Sequence, residues 1–114
     1  MSFYFLCIDD THAGYFKLNE ADAQTENFGK TAIEIERIYV IPKLQGKKLG
    51  EAMLKKTMEI AKEKQAEFLW LGVWERNIHA IRFYERLGFR HFGSHDFYIG
   101  NDRQTDLLMK LELI

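Results

Sequence analysis

Between Phe68 and Trp74 the chain reads Phe-Leu-Trp-Leu-Gly-Val-Trp, bounded by Glu67 on one side and Glu75-Arg76 on the other. A run this short and this uniformly apolar is a strand buried on both faces. Two elements lead into it. Ile33–Ile41 is rich in β-branched residues and alternates, with Ile33, Ile35, Arg37 and Tyr39 facing one way and Glu34, Glu36, Ile38 and Val40 the other. Pro42 ends that strand because it cannot donate to a ladder. From Gly46 to about Lys64 the pattern turns helical: Leu49, Ala52, Met53, Thr57, Ile60 and Ala61 fall on one face, and Lys47, Lys48, Glu51, Lys55, Lys56, Glu59, Lys62 and Glu63 cover much of the rest. Glu51 is placed to support Lys55 one turn on. Strand, helix, strand in this order predicts a right-handed crossover joining parallel strands.

The flanks complete the order. Ser2–Ile8 is apolar and aromatic, Asp9-Asp10-Thr11-His12 is turn-like, and Ala13–Leu18 is again strand-like, which together predict a hairpin. Asn19–Gly29 is polar, carries Glu20, Asp22 and Glu26, and reads as a loop. A second helix spans about Asn77 to Leu87, with Asn77 as its N-cap and Gly88 as its stop. Phe89–Tyr98 and Thr105–Leu113 read as strands around Gly100-Asn101-Asp102. The expected fold is a single mixed α/β domain over residues 1–114, in the order β-β-β-α-β-α-β-β.

Bulk properties exclude several classes. A chain of 114 residues with 46% hydrophobic and 14% aromatic content can bury a core without staples. A formal charge of -1 offers no electrostatic case for nucleic acid or an anionic membrane. Cys7 is the only cysteine, so no internal disulfide can form, and within Phe3–Ile8 it reads as a small buried hydrophobe. His12, His79, His91 and His95 lack metal-ligand spacing, so no metal is expected. No stretch approaches the ~20 apolar residues of a membrane helix, and no signal peptide is visible, which makes a reducing cytoplasm the expected compartment.

Chemistry concentrates in Ile38-Tyr39-Val40-Ile41-Pro42-Lys43-Leu44-Gln45-Gly46-Lys47-Lys48-Leu49-Gly50-Glu51, where a strand passes through a glycine-containing loop into a helix. The first N–H groups of a helix lack internal partners and sit at the positive end of its dipole. Glycine lets that backbone approach a diphosphate. Taken alone, the same segment is also an ordinary helix start with solvated lysines. The string Gln-Gly-Lys-Lys-Leu-Gly resembles the Q/R-x-x-G-x-G/A pyrophosphate loop of the GNAT acetyltransferases, with Lys48 in place of the family's middle glycine. A second segment, Asn77-Ile78-His79-Ala80-Ile81-Arg82-Phe83-Tyr84-Glu85-Arg86-Leu87-Gly88-Phe89, resembles the family's N-x-x-A-x-x-F-Y-x-x-x-G-F signature at every defined position. Two motifs in the right order on the right elements are far more specific than either alone.

The resemblance implies a GNAT-like acyl-CoA N-acyltransferase fold, shortened at the N-terminus, with acetyl-CoA as cosubstrate. It implies that Gln45, Gly46, Lys47, Lys48, Leu49, Gly50 and Glu51 hold the diphosphate, that Asn77, Tyr84 and Arg86 also contact the cosubstrate, and that the strand Ile38, Tyr39 and Val40 splays from Phe68–Trp74 to pair with the pantetheine arm and polarise the thioester carbonyl. Tyr84 takes the role of general acid toward the departing thiolate; without the motif it would read as an aromatic filling the helix face. A thiol titrating near ~8.5 and a phenol near ~10 differ by only about 2 kcal/mol.

His95–Met109, Ile35–Val40 and Trp70–Glu75 are similar to PaiA-type bacterial polyamine N-acetyltransferases. They imply a small-molecule amine acceptor such as spermidine or spermine, attacked directly because neither motif holds a cysteine. Glu34 and Glu36 are candidate bases, or exposed strand carboxylates; Glu20, Asp22 and Glu26 form either an acidic steering loop or a solvated one. Two alternatives stand beside this reading: another acceptor, such as a protein amine or an aminoglycoside, or an inactive domain that binds coenzyme A. Family members carry a strand and two helices before the hairpin, and the lack of these predicts self-association as a twofold dimer, with Phe3, Tyr4 and Phe5 at the contact.

Overall fold

The computed structural model describes residues 2–8, 11–20, 23–26, 28–29, 31–40 and 49–113. Its elements are β1 (Ser2–Ile8), β2 (Thr11–Glu20), β3 (Ala32–Val40), α1 (Leu49–Glu63), β4 (Phe68–Trp74), α2 (Ile78–Arg86), β5 (Arg90–Ile99) and β6 (Asp102–Glu112). The order expected from the sequence is the order observed. The strands form one sheet of six, β1-β2-β3-β4-β6-β5. β3 and β4 run parallel around α1, and every other pairing is antiparallel. β4 is central, but the burial on both faces expected from its apolar run holds only through Leu71, because Gly72 and Trp74 are exposed on the face away from the helices.

Several boundaries differ from the sequence reading. β2 starts at Thr11 rather than Ala13, since Thr11 and His12 already pair with Ile8 and Cys7. It also continues through Asn19 and Glu20, which pair with Glu34 and Ile33, so these two residues, expected to be loop, are strand. α2 is capped as expected. The Asn77 side chain accepts a hydrogen bond from the Ala80 N–H at 3.2 Å, and Gly88 stands in the left-handed region at φ +100°. Gly100, at φ +62°, opens the two-residue turn closed by the Ile99–Asp102 pair, the glycine position of a type II′ hairpin.

Both helices pack on one face of the sheet. α1 contributes Met53, Leu54, Ile60 and Ala61 to a core shared with Phe16, Leu18, Ile33, Ile35, Leu69, Leu71, Val73, Phe89 and Met109, and α2 leans Ala80, Ile81, Phe83, Tyr84 and Leu87 against it. The buried face of α1 is rotated from the one expected. At about 100° per residue, Met53, Leu54, Thr57, Ile60 and Ala61 span an arc of roughly 120° centred near Thr57, and Ala52 falls outside it. Ala52 is accordingly exposed, whereas Leu54 is fully buried. The Thr57 hydroxyl donates to the Leu54 carbonyl at 2.6 Å, so it enters the core satisfied.

The opposite face carries a smaller apolar patch of its own. Ala32, Trp70 and Leu108 are buried beneath Phe28, Phe68 and Phe92. The Trp70 indole N–H donates to Gln24 Oε1 at 2.6 Å, and Gln24 in turn donates to the Gly29 carbonyl at 3.0 Å, which straps the segment after β2 onto the sheet. Tyr4, expected at a subunit contact, turns inward and stacks on Phe16 at 4.8 Å, while Phe5 is 61% exposed; the Phe3 side chain lies outside the described residues.

Leu54 fixes the seat of α1, so Leu54→Ala should destabilise the chain by about 2–5 kcal/mol in a urea titration, against about 0.5 kcal/mol or less for the exposed Ala52→Ser. Equal effects at both positions would contradict the observed rotation of the helix.

Candidate active site

β3 and β4 pair only through Ala32–Phe68, Ile33–Leu69 and Glu34–Trp70. Beyond Glu34 the two strands continue, to Val40 and to Trp74, without pairing. The cause lies on the other side of β3. Lys17 opposes Arg37 while Leu18 opposes Ile35, which leaves Glu36 as an extra residue. A β-bulge of this kind bends its strand and increases its twist. Here it sits where β3 leaves β4.

The bulge also corrects the alternation read from the sequence. Ile35 is in the helix-side core, and so is Ile38, three residues later. Arg37 and Tyr39 are exposed on the opposite face, where the Tyr39 ring lies 5.8 Å from that of Tyr15. Ile38 therefore shares a face with Ile35 rather than with Glu34.

Two clefts flank the splay. One encloses about 290 Å³ and is walled by Tyr15, Ile35, Glu36, Arg37, Ile38, Tyr39, Leu71, Gly72 and Tyr84. The other encloses about 300 Å³ and is walled by Thr25, Glu26, Glu34, Ile35, Glu36, Trp70, Gly72, His95, Asp106 and Leu108. Ile35, Glu36 and Gly72 belong to both walls. The first cleft reaches the helix α2 through Tyr84; the second lies on the face that carries Trp70 and Leu108.

A polar network holds the bulge. Buried Asn19 donates through Nδ2 to Glu34 at 3.0 Å and to Glu36 at 2.9 Å. Glu34, itself buried, also accepts from the Thr25 N–H at 2.8 Å and from the Thr25 hydroxyl at 2.5 Å. Lys17 forms an ion pair with Glu36 at 2.7 Å. The hydrogen bond from Lys17, followed by that from Asn19, holds the Glu36 carboxyl below its ordinary value of 4.5. Asn19 Oδ1 is buried without a partner among the described residues, a cost accepted by turning both amide hydrogens to the carboxylates.

Tyr84 is half-buried between Phe83 and Phe89, with ring centroids at 5.3 and 5.6 Å. Burial pushes its phenol above the ordinary value of 10.0, so the proton stays on at neutral pH. Of the residues predicted to hold the cosubstrate, Ile38, Tyr39 and Tyr84 meet in the first cleft. Leu49 and Gly50 open α1, and Gly50 faces Phe83 of α2, so the start of α1 stands beside α2. Glu51 pairs with Lys55 at 3.3 Å. Asn77 and Arg86 are exposed at the two ends of α2 and stand outside the cleft walls. Val40 continues the backbone of β3, and Gln45, Gly46, Lys47 and Lys48 lie outside the described residues. The sequence reading missed Lys17, Asn19, Thr25, Gly72 and Asp106. Only Gly72, a glycine inside an apolar strand, carried a signal in the sequence.

Residues 1–89 match the model of the Acetyltransferase (GNAT) family. The chain belongs to the GNAT acetyltransferase family. It is 44% identical over 112 residues to an uncharacterized N-acetyltransferase of Lactobacillus delbrueckii subsp. lactis, covering 98% of this chain and 65% of that protein. It is 39% identical over 64 residues to the spermine/spermidine N(1)-acetyltransferase of Bacillus subtilis, covering 55% of this chain and 42% of that protein. The chain thus spans less than two thirds of the length of either relative. Its fold superposes with a TM-score of 0.80 on a Bacillus subtilis acetyltransferase in complex with CoA, at 22% identity, covering 98% of this chain and 76% of that one. No helix of this GNAT chain, among the described residues, is long and apolar enough to cross a membrane.

The lowered Glu36 has a consequence for acid stability. Its folded value is below its unfolded one, so its contribution is present above about pH 4.5 and is lost as pH falls through the lowered value. The stability gap between the wild type and Glu36→Gln should therefore be widest near neutral pH and shrink below about 4.5 in urea titrations. A gap that stays constant on acidification would contradict the network.

Proposed function

We propose that this GNAT chain transfers an acetyl group from acetyl-CoA to a primary amine of a polyamine such as spermidine or spermine. The observation that carries the reading is the meeting of the two clefts at Ile35, Glu36 and Gly72, with a protonated tyrosine on one side and carboxylates on the other. Beyond Glu34, the edge of β3 that turns away from β4 offers unpaired backbone groups. An extended amide-bearing arm fits such an edge as an added strand, and a β3 N–H there suits the thioester oxygen as charge develops on it. Acetyl-CoA is a substrate, and its chemical contribution is an activated acyl carbon.

The acceptor amine enters from the carboxylate side. An alkylammonium titrating near ~10.4 must lose a proton before it attacks, at a cost of about 4 to 5 kcal/mol near neutral pH. Glu36, held below its usual range, is a weak base and a good counter-charge, so it serves to hold the ammonium, with water taking the proton. The amine nitrogen then bonds to the acyl carbon, the carbon–sulfur bond breaks, and the Tyr84 hydroxyl gives its proton to the leaving thiolate. Binding of a cation is favoured by Glu26, Glu34, Glu36 and Asp106 around one cleft. The Bacillus subtilis spermine/spermidine relative supports the acceptor class. Self-association through the edge strand β1, where Phe5 is exposed, belongs to the same reading.

Tyr84→Phe keeps the ring packed between Phe83 and Phe89 and removes only the hydroxyl. Turnover should fall by roughly 10²–10⁴ with acetyl-CoA affinity nearly unchanged. A wild-type rate at saturating substrates would make Tyr84 a packing residue.

A further inference from the structure

Gly72 has no local structural reason to be glycine. It lies mid-strand in β4, where glycine weakens a strand by about 0.5–1 kcal/mol relative to alanine. Its φ is not positive, and the β4–β6 register shows no bulge around it. A Cβ built there would meet nothing closer than Asp106 Oδ2 and Leu108 Cδ2, both at 3.8 Å, which is ordinary contact. What remains is close approach of a ligand. Because side chains alternate along a strand, Trp70, Gly72 and Trp74 share one face, and Gly72 leaves a notch between two indoles. That notch is part of both clefts.

Asp106 borders the notch from β6. On the β3 side, Glu34 is held by Asn19 and Thr25, and Glu36, held by Asn19 and Lys17, serves the proximal amine. Asp106 is half-buried, and its carboxylate makes no hydrogen bond or ion pair with any described residue. A carboxylate so placed can form a charge-assisted hydrogen bond with a bound cation. Adjacent strands lie about 4.8 Å apart, so the step from the splay to Asp106 matches an alkyl linker of roughly three or four carbons.

We propose that Gly72 and Asp106 select acceptors with a second ammonium group. The notch at Gly72 seats the alkyl chain, and Asp106 holds the distal ammonium while the proximal amine stands at the splay. This rests on the acetyl-transfer reading and specifies its acceptor.

The test is steady-state transfer from acetyl-CoA to 1,3-diaminopropane and to propylamine, with acetyl-CoA affinity measured alongside by calorimetry. Asp106→Asn is isosteric and should lower kcat/KM for the diamine by roughly 10- to 100-fold, chiefly through KM. The loss for propylamine should be several-fold smaller. Gly72→Ala, which the contact distances accommodate, should lower transfer to both amines, and Gly72→Val more so. Equal losses for the two amines in Asp106→Asn, or no loss for the diamine, would overturn selection by Asp106; full activity in Gly72→Val would overturn the notch. A wild type that binds acetyl-CoA and acetylates neither amine would overturn the acetyl-transfer reading, and this inference with it.

Discussion

Glu36 has no residue opposite it on β2. Fitting that one extra residue into β3 bends the strand, and the bend ends its pairing with β4 after Glu34. Every feature of the candidate site follows from this. The gap between β3 and β4 lets a helix-side cleft and an open-face cleft share Ile35, Glu36 and Gly72. With a straight β3 the sheet would close, Tyr84 would face a continuous wall, and the carboxylates on the far side would be separated from it by a layer of backbone.

Breaking a parallel ladder in a sheet centre is costly, because backbone N–H and C=O groups need partners. The network around Asn19 offsets part of that cost by tying β2, β3 and the segment at Thr25 together with charge-assisted hydrogen bonds. It also settles what the two glutamates can do. Glu34 accepts three hydrogen bonds and Glu36 two, so both side chains are fixed in place. Water or an extended ligand must serve the unpaired edge of β3. The same rigid frame that lets the chain bury Leu54 and Trp70 thus leaves one edge of one strand available.

The elements were legible in the sequence because their signals are local. The apolar run Phe68–Trp74, the cap at Asn77 and the stop at Gly88 each depend on a few neighbouring residues, and each stands where expected. Tyr84 and the β3 edge were legible through a motif. The bulge was not, because Ile33 to Val40 reads as unbroken alternation, and only the register against Lys17 and Leu18 reveals the extra residue. Asn19 was hidden in a polar stretch that reads as loop, and its role comes from pairing across the sheet. Asp106 reads as one polar residue near the start of a strand; its position opposite Trp74, with its carboxylate beside Gly72, is a product of the β4–β6 pairing. Leu54 was missed because the buried arc is rotated toward it and away from Ala52, and only packing against the sheet fixes that rotation.

The central claim is that the unpaired edge of β3 receives coenzyme A. Amide resonances followed by NMR during titration of the isotopically labelled chain with coenzyme A test it directly. Amides between Ile35 and Val40 should shift and gain exchange protection, while those of Ala32–Glu34, already paired with β4, should change little. The account is contradicted if the amides from Ile35 to Val40 are unmoved while coenzyme A binds elsewhere on the chain.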